Sequence, residues 1–240
     1  MHGRTGKTLL ARVLADYFML SGRRPLVFDT DTAERSLCAA FPYDARVVDL
    51  SETRDQMTLF DTLVSRSPEA RVVDVSHYAF RRFFKVMHDS HFVEEARQRG
   101  VEPILFYITD RNPDAYEEAL SLRERFGDCA LVLVDNAFIG RVKELTRRSA
   151  AYRMMQDHDL YMTLPRLDPE LADAIEDPSV SLSEIMNRPL SRVDDRVGEI
   201  TFEERVALRD WLVQVFRDIH HVIREIEARA PALAPQGFGF

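Results

Sequence analysis

Gly6-Lys7-Thr8 opens an apolar, helix-spaced run from Leu9 to Leu20, and the combination is suited to holding phosphate. Gly3 and Gly6 let the backbone turn tightly and aim its N–H groups inward, while the following helix offers its positive end to an anion. Lys7 can reach the β- and γ-phosphates of a nucleotide, and the Thr8 hydroxyl can ligate Mg²⁺. The full pattern G-x-x-x-x-G-K-[ST] would place its first glycine at position 1, where this chain has Met1. A phosphate loop also hangs from a strand, and no strand-like run precedes this one. The plain alternative is a glycine-rich terminus that matches by chance.

Acidic residues recur at the ends of strand-like runs. Pro25-Leu26-Val27-Phe28 runs into Asp29-Thr30-Asp31-Thr32, and carboxyl ends of strands are where open α/β sheets place ligand chemistry. The competing reading has Thr32 as the N-cap of a helix. Ala70 to Val75 is β-branched and delivers Asp74, as a strand does when it brings a carboxylate toward nucleotide-bound Mg²⁺. Ala130 to Val134 ends in Asp135-Asn136. The Asn136 amide offers the donor and acceptor that adenine needs, unless it is simply a turn residue. Arg81, Arg82 and Lys85 lie between aromatics as a basic contact patch, a mobile segment or the solvated face of an amphipathic helix. His88 and His91 flank Asp89 but lack the converging ligands of a metal site.

The elements that position these residues alternate between strand and helix. Strand-like runs at 25–28, 46–50, 70–75, 103–108, 130–134 and 162–165 are separated by helical stretches. Thr53 to Val64 is helical, Asn112-Pro113 starts a helix, Arg141 to Met155 reads as one basic helix, and Leu167-Asp168-Pro169 opens another. The pattern predicts an α/β fold with a mostly parallel, doubly wound sheet covered on both faces. The stretch from Ile175 to Gly198 turns polar and reads as a surface connector. Glu203 to Arg229 is one long helix whose apolar seam, Leu208, Leu212, Val215, Ile219, Val222 and Ile226, either packs on its own domain or pairs helices. Residues 230–240 read as a loose tail. We divide the chain into a nucleotide-binding domain over 1–170 and a helical extension over 171–240, packed on that same domain.

At 240 residues and 45% hydrophobic, the chain suffices for one sizeable core. Its formal net charge of -8 argues against a surface coated by nucleic acid. Cys38 and Cys129 sit in apolar surroundings and read as buried thiols of a reducing compartment. With no signal peptide and no membrane-spanning run, the expectation is a cytoplasmic protein.

The order of these signals resembles the ParA/MinD/CobQ-like branch of P-loop NTPases, which includes plasmid-partition and conjugal-transfer ATPases. The resemblance spans about residues 2–170 and rests on Gly3 to Thr8 with Asp29-Thr30-Asp31. It implies that Gly3, Arg4, Thr5, Gly6, Lys7 and Thr8 form the nucleotide-binding loop and that Thr8 and Asp74 serve Mg²⁺. It further implies that Lys7 and Asp31 are catalytic, Asp31 near the attacking water, and that Asn136 reads adenine. The implied activity is an ATP-dependent, Mg²⁺-dependent NTPase that switches as a homodimer and moves or positions a DNA or protein cargo. A small-molecule kinase or ligase and a non-hydrolysing adaptor are the alternatives. The family's second lysine falls at His2, the second Gly of its Gly-Gly pair at Arg4, and its switch glycines or prolines at Thr32-Ala33-Glu34 and Ser76-His77. Nucleotide binding therefore transfers better than fast hydrolysis. Any duplex DNA binding is expected to be weak, non-specific and lost with salt.

In this fold the phosphate loop follows a central strand buried on both faces. The sequence therefore predicts that the first strand is missing at the N-terminus. The reading frame would continue upstream for about ten mostly aliphatic residues, and without them the sheet would carry a slot lined by unpaired backbone groups.

Overall fold

The computed structural model describes residues 6–156, 160–176, 181–187 and 200–229, with backbone alone at 156, 170, 173, 174 and 176. In chain order the elements are α1 (Lys7–Leu20), β1 (Pro25–Asp29), α2 (Ser36–Ala40), β2 (Ala45–Val47), α3 (Thr53–Val64), β3 (Ala70–Asp74), α4 (Phe80–Asp89) and α5 (Phe92–Gln98). There follow β4 (Ile104–Thr109), α6 (Pro113–Arg125), β5 (Ala130–Asn136), α7 (Glu144–Arg147), α8 (Ala150–Gln156), β6 (Tyr161–Leu164), α9 (Pro169–Glu176), α10 (Leu182–Asn187) and α11 (Phe202–Arg229). Every strand pair is parallel.

The strands form two three-stranded sheets, ordered β2-β1-β3 and β4-β5-β6. Their side chains alternate between two shared cores. Val27 and Val72 of the first sheet and Ile108, Val132 and Val134 of the second enter one core with α1 and α11. Phe28 of the first and Tyr107, Leu131 and Leu133 of the second enter the other with α3, α4, α5 and α6. Strand side chains point to opposite faces with period two. Two sheets that feed the same two cores in this way are halves of one layer between two layers of helices, the doubly covered α/β arrangement.

Between the halves, the edges of β3 and β4 border a cavity of about 580 Å³, floored by Leu10 and Leu14 of α1 and roofed by Phe83 and Met87 of α4. The expected single sheet is therefore interrupted at its centre. Burial reflects this. Leu131, Val132, Leu133 and Val134 of β5 are all buried, whereas Ile104, Leu105 and Phe106 of β4 stay half-buried between the same helical layers.

The seam of α11 lies in the α1 core, where Leu208, Leu212, Val215 and Ile219 are fully enclosed. Several local expectations are corrected. The basic stretch 141–155 is two short helices, α7 and α8, broken at Arg148-Ser149, not one. Thr32 caps nothing. The helix after β1 starts at Ser36 from Arg35 in a left-handed conformation, with φ 51°, and the Asp29 carboxylate accepts from Leu37 N at 3.0 Å. Cys38 is only half-buried, while Cys129 is buried. In the polar 175–198 stretch, 175 and 176 end α9 and Leu182–Asn187 form α10, while 177–180 and 188–198, like the tail 230–240, lie outside the described residues.

Candidate phosphate and metal site

α1 begins abruptly because Gly6 takes φ 92°, a conformation open to glycine at little cost, and its carbonyl accepts the first helical bond from Leu10 N at 2.9 Å. The helix then runs for 14 residues with its first turn free of acidic side chains. The N–H groups of its first turn and its positive dipole end face the carboxyl ends of the strands. A Cβ on Gly6 would lie 2.7 Å from Asn136 Nδ2, so the end of β5 presses directly on this turn.

Thr8 faces the other half-sheet. Its hydroxyl donates to Asp74 Oδ2 at 2.6 Å, across 66 positions of sequence. Lys7 and Asp74 share the upper end of the central cavity. Asp74 is buried, and its carboxyl is pushed up to about 6. Burial is the main cause. The Thr8 hydrogen bond and the Lys7 charge oppose it, and the neighbouring Asp29 and Asp31 carboxylates add to it. The site thus concentrates negative charge that a cation would relieve. A hydroxyl and a carboxylate are hard oxygen donors of the kind that Mg²⁺ takes beside substrate phosphates, so these residues fit that ion. Among the described residues no group of three or more His, Cys, Asp or Glu side chains is placed to hold a metal by itself. A nucleotide-borne ion does not require one.

A polar clamp that the sequence did not reveal ties β1 to β3 beneath these groups. Thr30 Oγ1 donates to Asp74 O at 2.8 Å and accepts from Ser76 N at 2.7 Å. Ser76 Oγ donates to Thr30 O at 3.2 Å and accepts from Ala79 N at 3.2 Å. Asp29, part of the acidic cluster read at the end of β1, is buried and accepts from Asp31 N at 2.9 Å as well as from Leu37 N. The signal available was the hydroxyl pair Thr30 and Ser76, each just past a strand that ends in Asp.

Gly6, Lys7, Thr8, Asp74 and Asn136 are brought together. Gly3, Arg4 and Thr5 lie outside the described residues. Asp31 stands at the rim, where one oxygen accepts from Ala33 N and Glu34 N, both at 3.0 Å, closing a local turn. Asn136, expected to read adenine, sits at the carboxyl end of β5 beside the start of α1. Its oxygen accepts from Phe138 N at 3.1 Å, the residue is buried, and its nitrogen lies over Gly6 at the phosphate end. The basic patch is the exposed face of α4, with Phe83, Phe84 and Met87 buried behind it. Arg82 donates to Leu50 O at 2.9 Å and Lys85 pairs with Asp89, which thins the patch.

These features define a parallel α/β protein with a Gly-Lys-Thr helix start facing a strand-end carboxylate. No protein-family model matches the chain, and no curated protein sequence matches it. One solved structure, a nucleotide-binding protein from Archaeoglobus fulgidus in complex with ADP, is similar at 13% identity and a TM-score of 0.47, covering 73% of this chain and 82% of that one. A likeness that distant assigns neither a site nor a ligand. No helix among the described residues is long and apolar enough to cross a membrane.

Proposed function

We propose that this chain is a P-loop protein that binds ATP with Mg²⁺ at the amino end of α1. The observation that carries the reading is the 2.6 Å contact between the Thr8 hydroxyl and the Asp74 carboxylate beside Lys7. Helix start, lysine, hydroxyl and strand-end carboxylate are the groups with which such a site holds phosphate and its ion. In this reading the backbone at Gly6 and Lys7 cradles phosphate, and the Lys7 ammonium neutralises it. Thr8 and Asp74 would hold Mg²⁺, which when bound would supply charge neutralisation for phosphoryl transfer. Asp29 keeps the β1 turn in place through its two backbone acceptor bonds. Asn136 packs the loop from behind.

Hydrolysis, with Asp31 orienting water, remains part of the proposal, as does a nucleotide-switched homodimer that partitions, transfers or positions a DNA or protein cargo. Tyr78 and Phe138, exposed at 89% and 56% just past the ends of β3 and β5, offer an apolar rim for such a contact. One observation favours the adaptor reading over turnover. One Asp31 oxygen accepts from two backbone N–H groups and so serves a local turn.

Calorimetric titration with ATP, with and without Mg²⁺, tests the proposal. The parent chain should bind, and Lys7→Ala should weaken binding by about 2–3 kcal/mol through loss of a charge-assisted contact. Equal affinity in the two proteins would refute the phosphate site. Phosphate release by the parent, measured beside Asp31→Ala, separates hydrolysis from binding alone.

A further inference from the structure

The stretch that follows β5 has the opposite sign to the rest of the chain. Between Phe138 and Met154 stand Arg141, Lys143, Arg147, Arg148 and Arg153 against one carboxylate, Glu144, in a chain whose formal net charge is -8. All five cations are exposed. Glu144 is taken up by Arg148, 3.2 Å away and one turn along. Among the described residues no carboxylate pairs with Arg141, Lys143 or Arg147. A further cation comes from another loop. Arg111, past the end of β4, is exposed and lays its guanidinium against Gly140, where a Cβ would lie 2.6 Å from Nη2.

This cationic segment is held in place. Thr146 is buried, and its hydroxyl donates to Arg111 O at 2.7 Å, which ties α7 to the loop after β4. On α8 the Tyr152 ring stacks on Tyr116 of α6, with centroids 4.9 Å apart, while Ala151 and Met155 are buried. With the inner sides of both helices so occupied, Leu145 is left 76% exposed and Met154 52%. One exposed leucine is ordinary. Leu145 differs in its setting. Arg141 lies four residues before it, Lys143 and Arg147 two to either side, and Arg148 three after, so an apolar anchor sits among cations on a fixed turn.

The kind of partner follows from that setting. A basic partner would be drawn to the acidic remainder of the chain and repelled here, whereas an acidic one is steered to this face and kept off the others. A long nucleic acid strand would run off the short α7–α8 segment onto acidic surface. It would also seek stacking platforms, but the Tyr152 ring is engaged and the exposed apolar groups of the two helices are aliphatic. A bilayer takes a broad apolar helix face, and the other apolar side chains of α8, Ala151 and Met155, are buried. An acidic polypeptide segment with aliphatic side chains of its own pairs with the cations and covers Leu145 and Met154 at once.

We propose that the α7 face, centred on Leu145 among Arg141, Lys143 and Arg147, is the docking site for an acidic, aliphatic-bearing segment of a partner protein. The inference rests on this surface alone and stands whether or not the start of α1 binds nucleotide.

Selection of a random peptide library displayed on phage against the 240-residue chain reads the chemistry directly. Recovered peptides should carry net negative charge and at least one Leu, Ile or Met. In fluorescence polarisation with one recovered peptide, Lys143→Glu combined with Arg147→Glu should weaken binding at least about ten-fold, because two attractions become repulsions. Leu145→Ser should weaken it about five-fold or more through lost apolar burial. Arg66→Glu combined with Arg217→Glu changes the net charge equally at exposed positions elsewhere and should leave affinity within about two-fold, since distant exposed charges are screened. Circular dichroism should show all variants folded as the parent. Recovery of no peptide, or of peptides without net negative charge, would overturn the proposal. So would equal weakening by the α7 pair and the control pair. Tighter binding of an oligo-dT strand or of phosphatidylglycerol vesicles, lost in the α7 pair, would also overturn it and give the surface to nucleic acid or to membrane. Every measurement omits nucleotide, so failure of ATP binding does not bear on the result.

Discussion

Asn136 Nδ2 stands 2.7 Å from the point that a Cβ on Gly6 would occupy, which joins the end of β5 to the first turn of α1. Gly6→Ala therefore meets two penalties, the positive φ and this contact. The first alone is worth about 1–2 kcal/mol. In urea denaturation Gly6→Ala should destabilise by more than that, and adding Asn136→Ala should recover part of the loss. An identical cost of Gly6→Ala in both backgrounds would show that the two side chains do not meet.

Asp74 supplies a pH prediction. Its folded carboxyl titrates at about 6, above the ordinary 3.8, chiefly through burial. The folded state thus holds the proton more tightly than the unfolded one. The ionised carboxylate costs stability at pH above about 6, and that cost vanishes below about pH 4. Asp74→Asn retains an oxygen for the Thr8 hydroxyl and removes the charge. Without ligand it should be more stable than the parent at pH 7.5, by about 2–3 kcal/mol at most, with the gap closing toward pH 4. Asp16, likewise buried and raised to about 6, shares the same sign. The comparison must therefore be variant against parent rather than the parent's profile alone. A gap that widened on acidification would reverse the assignment.

Thr30→Val should destabilise, because Ser76 N loses the hydroxyl oxygen at 2.7 Å that accepts its proton in a buried position. An orphaned buried donor costs about 1–3 kcal/mol. Thr30→Ser keeps the oxygen and should recover most of it. If Val and Ser were equivalent by chemical denaturation, the clamp between β1 and β3 would contribute nothing.

Trp211, the chain's single tryptophan, donates from Nε1 to Pro165 O at 2.9 Å and reports the docking of α11 beside β6. Ile219, fully enclosed on the same helix, should cost about 2–5 kcal/mol when replaced by Ala. Fluorescence and far-ultraviolet circular dichroism should lose signal together in parent and variant. An earlier fluorescence transition would mean that α11 melts separately from the sheet.

Periodicity in the sequence was enough to place all six strands, because parallel strands buried on both faces read as short aliphatic runs between turn residues. The helix start at Gly6-Lys7-Thr8 and the strand-end Asp74 were legible for a similar reason, since their residue types are tied to local backbone geometry. The break between α7 and α8 was not legible, as the basic pattern continues through Arg148-Ser149. Where Asn136 sits was decided by tertiary structure alone. An amide after a strand looks the same whether it faces a base or a glycine, and only the approach of β5 to α1 turned it onto Gly6. The Thr30–Ser76 clamp likewise depends on β1 and β3 lying side by side, 46 residues apart in sequence. Only the packed helices, which hold β3 and β4 apart over a shared apolar floor and roof, made a cavity between the two half-sheets.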